Sequence, residues 1–197
     1  MQNCFSEKGG AINIANALNF SILNCIINQS SSTLDGSAFL LKSFAKIEFE
    51  NIKVENSKTL NGTGVILIMN NDDNSLITLK NIICKNNYGL EGSCILFTST
   101  SFFFCKNLNI DHCGNNPLVL YGVFNVEVKI VKILISQCLS DQYLIFTSNI
   151  ILEVTDFLIF GKHHLRQTDH RRLSCGRKGR VAWFLINFDQ DGLQVEQ

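Results

Sequence analysis

Carboxylate side chains are the residues of this sequence that could carry acid–base chemistry. Glycosidases use two carboxyl groups within about 10 Å of each other, and lyase-type sites cluster acids as calcium ligands beside a basic residue. The acids of the first 160 residues that we place on outward positions are scattered along the chain: Glu48, Glu50, Asp72, Asp73, Asp111, Glu127 and Glu153. No arginine occurs in that stretch. We therefore predict no catalytic residue, and keep a carbohydrate-active enzyme, or an inactive relative of one, as the alternative.

Two further groups could bind a metal ion. Asp72 and Asp73 lie in the segment MNNDDNS, which we interpret as a solvated loop, with a weak cation site as the alternative. His163, His164 and His170 precede Cys175 with a spacing that matches no zinc pattern. We predict no metal site and no cofactor.

Three Asn-X-Ser/Thr sequons, at Asn19, Asn28 and Asn61, are candidate glycosylation sites. We expect Asn19 on an outward-facing strand position and the other two in turns, where the glycosylation machinery could reach them. In an asparagine-rich chain several sequons arise by chance, so they are slight evidence for secretion.

The composition changes near residue 160. Hydrophobic residues make up 46% of the chain, charged residues 17%, and the formal net charge is zero, so no nucleic-acid partner is expected. No signal peptide or membrane-spanning apolar run is recognisable. All five arginines follow residue 160. We divide the chain into a domain over 1–160 and a basic tail over 161–197, disordered or forming a partial cap.

The first 160 residues contain an internal repeat. Six segments align on one polar position, occupied by Asn24, Asn51, Asn81, Asn107, Lys132 and Asp156, with successive spacings of 27, 30, 26, 25 and 24 residues. Every residue four before, two before, one after and three after that position is apolar. This is the period-two alternation of half-buried strands, shifted by one residue at the aligned position. The chain must bend there, and asparagine tolerates the left-handed conformation that such a bend requires.

A third apolar segment precedes each pair of strands after a small or glycine-containing corner, as in DGSAFLL (35–41) and EGSCILF (91–97). Three short strands per repeat of about 26 residues describe one coil of a parallel β-helix, in which like residues stack on like. We predict an all-β fold: a right-handed, single-stranded parallel β-helix of about six coils with an irregular C-terminal tail. The asparagines Asn24, Asn51, Asn81 and Asn107 should form a structural turn ladder.

The same register makes predictions about the acids and cysteines. Glu48 should stack on Thr78 and Glu153 on Lys129, which leaves no cluster of three acids. None of the eight cysteines forms a CxxC pair, and we interpret most of them as small hydrophobic core residues. Cys113 and Cys138 fall at the same offset in successive repeats, so a contact between adjacent coils is expected.

The motif GGAI (Gly9–Ile12), followed by phenylalanine shortly before asparagine at Phe20 and Asn24 and again at Phe49 and Asn51, resembles the repeats of chlamydial polymorphic outer-membrane proteins. The pattern is equally similar to pectin-lyase-like surface proteins of ciliates and other protists. The resemblance covers residues 8–160, with later corners reduced to GSA, GTG and GSC. It implies an ectodomain for adhesion or display that a separate membrane segment anchors.

We therefore expect a non-catalytic structural or binding domain of a cell-surface or membrane-associated protein, and a fragment of a longer chain. Its partner would be a protein or glycan, and any membrane attachment would come from segments absent from this sequence. An intracellular scaffold in a larger assembly is the third hypothesis.

Overall fold

The computed structural model describes residues 1–62, 64–70, 75–90, 92–99, 102–138, 145–160, 185–189 and 192–196. Every regular element among these residues is a β-strand. The strands are β1 Phe5–Lys8, β2 Ile12–Asn28, β3 Ser31–Asp35, β4 Phe39–Glu55, β5 Lys58–Thr59, β6 Ile66–Asn70, β7 Leu76–Lys85, β8 Ile95–Ser99, β9 Phe102–Asp111, β10 Leu118–Ser136, β11 Ile145–Phe160, β12 Leu185–Asp189 and β13 Gly192–Glu196.

The strands from β2 to β11 pair in parallel and stack into a β-solenoid of about five turns, close to the six coils predicted. Each of the long strands β2, β4, β10 and β11 runs along all three sides of a coil. The sequence analysis divided the same stretch into three short strands. In the two coils between β4 and β10, the same path is divided between β6 and β7 and between β8 and β9. The all-β, parallel, stacked architecture is confirmed.

The four predicted apolar columns form the interior, in the predicted register. Phe20 pairs with Ile47, Ile47 with Ile77, and Ile77 with Phe103. Corresponding pairings continue through the last two rungs of the stack. Side chains in these columns are almost completely buried from the second coil to the fifth, whereas Phe20 and Ile22 of the first coil are only partly buried. Stacking therefore creates the core that one coil cannot enclose alone.

The glycine corners pack closely against an outward-facing column of the first strand segment. Leu40, Leu67, Leu96 and Val119 point away from the lumen yet are at most 6% exposed. Gly36 has a φ of 61°, and a Cβ atom there would lie 2.8 Å from the Cβ of Leu40. Glycine is required at this corner for both its left-handed backbone and its lack of a side chain.

Each of the first three coils contains a short fourth strand that the three-strand prediction missed. Strands β1, β3 and β5 form a separate parallel sheet between the third strand segment and the glycine corner. Its inward residues include Ser32 and Thr59, which are fully buried. Because these positions are serine- and threonine-rich rather than apolar, hydrophobic periodicity gave no signal for them.

The C-terminal tail contains one described element. Strands β12 and β13 pair antiparallel, with Leu185 opposite Glu196 and Asp189 opposite Gly192. The tail predicted to be irregular therefore contains one regular strand pair. Residues 161–184 lie outside the described residues, so the division of the chain at residue 160 stays a prediction.

Candidate binding faces

The asparagine ladder runs along the corner between the second and third strand segments. Asn24, Asn51, Asn81 and Asn107 have φ angles of 53°, 56°, 54° and 60°. The side-chain amides of the last three each donate a hydrogen bond to the Oδ1 of the preceding asparagine; the donor–acceptor distances are 2.9 Å for Asn51, 2.9 Å for Asn81 and 2.8 Å for Asn107. Because these amides are already hydrogen-bonded to one another, we assign the ladder to the backbone bend.

The three sequon asparagines differ in their surroundings. Asn19 and Asn61 are exposed, whereas Asn28 is half-buried at the end of β2. The Oδ1 of Asn28 accepts a hydrogen bond of 2.9 Å from the amide of Asn56. Asn19 and Asn61 therefore present the more accessible amides in the folded domain.

The acids of the second strand face are adjacent to lysines. As predicted, Glu48 is stacked on Thr78, and Lys129 on Glu153. The Nζ of Lys80 lies 2.8 Å from Glu48 and 4.0 Å from Glu50, and that of Lys129 lies 3.2 Å from Glu153. The hydrogen bond from Lys80, together with its charge, lowers the pKa of Glu48. Asp72 and Asp73 lie outside the described residues.

Asp111 is the centre of a polar cluster at the corner that follows the third strand segment. Its Oδ1 accepts a hydrogen bond of 2.7 Å from Ser136 and lies 2.8 Å from Nδ1 of His112, and Lys85 is 3.7 Å from Oδ2. Burial raises the pKa of Asp111, but the hydrogen bonds and positive charge outweigh it, so the net shift is downward. The cluster therefore favours an ionised carboxylate, which is a poor general acid.

Within the described ranges, no group of three or more histidine, cysteine, aspartate or glutamate side chains is arranged to hold a metal ion. His163, His164, His170 and Cys175 all lie outside those ranges. No helix long and apolar enough to cross a membrane occurs in the described part of the chain.

The third strand face carries an unusual outward column, which we call the aliphatic column. It consists, in stacking order, of Ile26, Lys53, Ile83, Asn109, Leu134 and Leu158. Ile26 is 57% exposed, Ile83 37% and Leu158 44%. Four of the six positions are thus aliphatic on a face that alternation assigns to solvent. The sequence alignment contained these residues as apolar exceptions among polar outward positions, but it gave no reason to single them out.

A shallow groove of about 350 Å³ lies between the aliphatic column and the asparagine ladder. Ile83, Asn109 and Leu134 line one side, and Asn81, Asn107 and Lys132 line the other. The buried Oδ1 of Asn109 has no hydrogen-bond partner. Apolar side chains beside carboxamides and one cation suit recognition of a surface with both apolar and polar groups.

A disulfide joins Cys84 and Cys94, whose Cα atoms are 5.6 Å apart. Both residues are fully buried, and the bond links the third strand segment of one coil to the corner that opens the next. Cys105, Cys113 and Cys138 are buried and form no disulfide with a described cysteine, as expected of core cysteines. Sequence reasoning missed the disulfide because its two residues belong to different columns of the repeat.

Fold and site together define the class of this protein: a parallel β-solenoid with an aliphatic outward column. Comparison with known protein families, curated proteins and solved structures finds no match to the chain.

Proposed function

We propose that this chain is a non-catalytic binding domain of an extracellular or membrane-associated protein, acting in adhesion or display, and that the aliphatic column contacts a protein partner. The observation that carries the proposal is that four of the six positions of one outward column are aliphatic. Ile26, Ile83 and Leu158 are exposed, Leu134 is half-buried, and Lys53 and Asn109 lie between them. Exposed apolar patches bordered by polar residues are typical of interaction sites. The groove beside the asparagine ladder supplies polar groups that would orient the partner.

The chemistry of the column favours a protein over a glycan. Ile83, Leu134 and Leu158 are aliphatic and offer no ring face for stacking, whereas they match the apolar core of a protein interface. Five spacings of about 4.8 Å between the six positions give the column a length of about 24 Å. A column this long and one residue wide offers less surface area than the roughly 800 Å² that each partner buries in a stable complex. We therefore expect weak binding by one domain, strengthened where several copies are displayed together.

The Cys84–Cys94 disulfide supports an extracellular location. Disulfides persist in secreted and surface proteins and are rare where the cell keeps thiols reduced. A domain displayed outside the cell could retain this bond. An intracellular scaffold would have to protect it from reduction.

The arrangement of acids supports binding rather than catalysis. Glu48 and Glu153 are each engaged by a lysine, and the Asp111 carboxylate by Ser136 and His112. A glycosidase needs one carboxyl group whose raised pKa keeps it protonated as general acid. The resolved pKa shifts of Glu48 and Asp111 are both downward.

Binding to arrays of extracellular proteins and of glycans tests the proposal. We expect a protein ligand whose affinity falls at least tenfold, about 1.4 kcal/mol, on Ile83→Lys or Leu134→Lys. The control is Leu23→Lys, which places a lysine at a 56% exposed leucine on the second strand face. A ligand that Leu23→Lys weakens as much as the test variants would contradict the assignment of the face.

The enzyme alternative is tested in the same preparation. Turnover of pectin, alginate or host glycans, abolished by Glu127→Gln or Glu153→Gln, would overturn the non-catalytic proposal. Glycan binding without any protein ligand would overturn the choice of partner.

A further inference from the structure

The thiols of Cys113 and Cys138 lie on top of one another at the corner that follows the third strand segment. Asp111 of β9 pairs with Ser136 of β10, and the backbone amide of His112 donates a 3.0 Å hydrogen bond to Ser136. Two residues beyond this pair, Cys113 and Cys138 occupy equivalent positions in adjacent coils, and each thiol shifts the pKa of the other. Both are almost fully buried.

The two cysteines also adopt the same local conformation. Each thiol lies near the carbonyl oxygen two residues before it, at 3.5 Å for Cys113 and 3.4 Å for Cys138. Parallel neighbours in a stack are about 4.8 Å apart, which falls within the range of about 4.4–6.8 Å that disulfides span between Cα atoms. Little backbone movement would be needed to join the sulfurs.

We propose that Cys113 and Cys138 form a second disulfide, which links two successive coils in an oxidising compartment. The oxidant is a low-molecular-weight or protein disulfide. The thiolate of one cysteine attacks a sulfur of that disulfide, which forms a mixed disulfide and expels the first thiol. The second cysteine, as thiolate, attacks the mixed disulfide at the protein sulfur and expels the second thiol. The protein loses two electrons and two protons, and the oxidant becomes two thiols.

The surroundings assign roles to the two thiols. The hydrogen bond from Cys113 lowers the pKa of Cys138, so Cys138 is the first to ionise. Cys113 lines an open pocket of about 460 Å³ with Tyr88, His112 and Gln137, so an oxidant in this pocket lies next to the pair, although both cysteine side chains are almost fully buried. Cys105 lies in the dry lumen, where burial raises the pKa of its thiol to about 12, and it stays reduced.

Serine is a suitable replacement at these positions. Earlier coils have Cys4, Ser30, Ser57 and Asn87 at the equivalent position, and the hydroxyls of Ser30 and Ser57 are buried and 2.9 Å apart. Cys113→Ser and Cys138→Ser therefore restore a residue that the same corner already accommodates. Cys4→Ser is the matched control, because Cys4 occupies the corresponding corner position of the first coil.

The experiment incubates the folded full chain with oxidised glutathione, alkylates the remaining thiols, and maps unreduced peptides by mass spectrometry. We expect one new cross-linked peptide, Cys113 with Cys138, beside the existing Cys84–Cys94 pair, and a higher thermal midpoint. Both changes should be absent in Cys138→Ser and present in Cys4→Ser, with circular dichroism confirming that each variant folds. Quantitative alkylation of Cys113 and Cys138, mixed disulfides without a cross-link, or pairing of Cys113 with Cys84 or Cys105 would overturn the proposal. None of these results depends on the partner of the aliphatic column.

Discussion

Replacement of Asn51 tests whether the asparagine ladder exists for the backbone bend. Asn51 is exposed, has a φ of 56°, donates to Asn24 and accepts from Asn81. Alanine and glycine both remove the two amide hydrogen bonds. Only alanine also places a Cβ atom in the left-handed conformation.

These energy costs predict that glycine is a more stable replacement than alanine at position 51, the reverse of the usual order in a strand. Loss of two exposed hydrogen bonds costs about 1–2 kcal/mol for either variant. Alanine adds roughly 1–2 kcal/mol for the left-handed backbone, whereas glycine adds about 0.5–1 kcal/mol of unfolded-state entropy. We expect Asn51→Ala to cost about 2–4 kcal/mol, and Asn51→Gly to be the more stable of the two by about 0.5–1 kcal/mol.

The assay is guanidinium unfolding followed by far-ultraviolet circular dichroism. Repeat proteins can unfold in parts, so the m value must be unchanged before free energies are compared. Ser21, on the extended backbone of β2, is the matched control, because Ser21→Gly should be less stable than Ser21→Ala there. If glycine is also the less stable replacement at position 51, the bend does not explain the ladder.

Three further perturbations have expected outcomes. The double variant Cys84→Ala, Cys94→Ala should lower the free energy of unfolding by about 2.5 kcal/mol, because the unfolded chain loses the constraint of a closed loop of about ten residues. Reduction of the parent protein should lower its thermal midpoint by the same amount as the double substitution. Equal stability of variant and parent would show that the disulfide contributes nothing. Asp111 has a lowered folded-state pKa, so its contribution is present above the ordinary carboxyl pKa and is lost as the pH falls through the lowered value. Asp111→Asn should therefore flatten the acid side of a melting-temperature profile, and an unchanged profile would contradict this. Gly36→Ala should destabilise by about 2–4 kcal/mol, since it combines a left-handed residue with overpacking against Leu40, and a neutral effect on urea unfolding would disprove the close packing of that corner.

Much of the fold could be predicted from the sequence because every coil has to bury apolar side chains at the same positions. Apolar residues such as Ile47, Ile77 and Phe103 recur at one offset, and only parallel stacking buries all of them together. The one-residue slip in alternation located the bend at Asn51 and its equivalents. These patterns are local: they can be read within each repeat without knowing which segments lie next to it in the folded protein.

Contacts between different columns could not be predicted in this way. Leu40 and Leu67 point outward by alternation, yet they are buried because the glycine corners fold over them. The short sheet of β1, β3 and β5 buries hydroxyl groups, which carry no hydrophobic signal. The aliphatic column could not be predicted for the same reason. In the sequence Ile83 and Leu134 are single apolar residues in separate repeats, and only the stacking of the coils places them in one column.

The sequence by itself therefore determined the stacked β architecture, the register of its interior and the positions of its bends, because these follow from side-chain alternation within each repeat. Tertiary structure alone decided which cysteines pair, which outward residues are covered and which aliphatic side chains share a face. Those outcomes depend on distances between segments that the chain brings together only when the coils close.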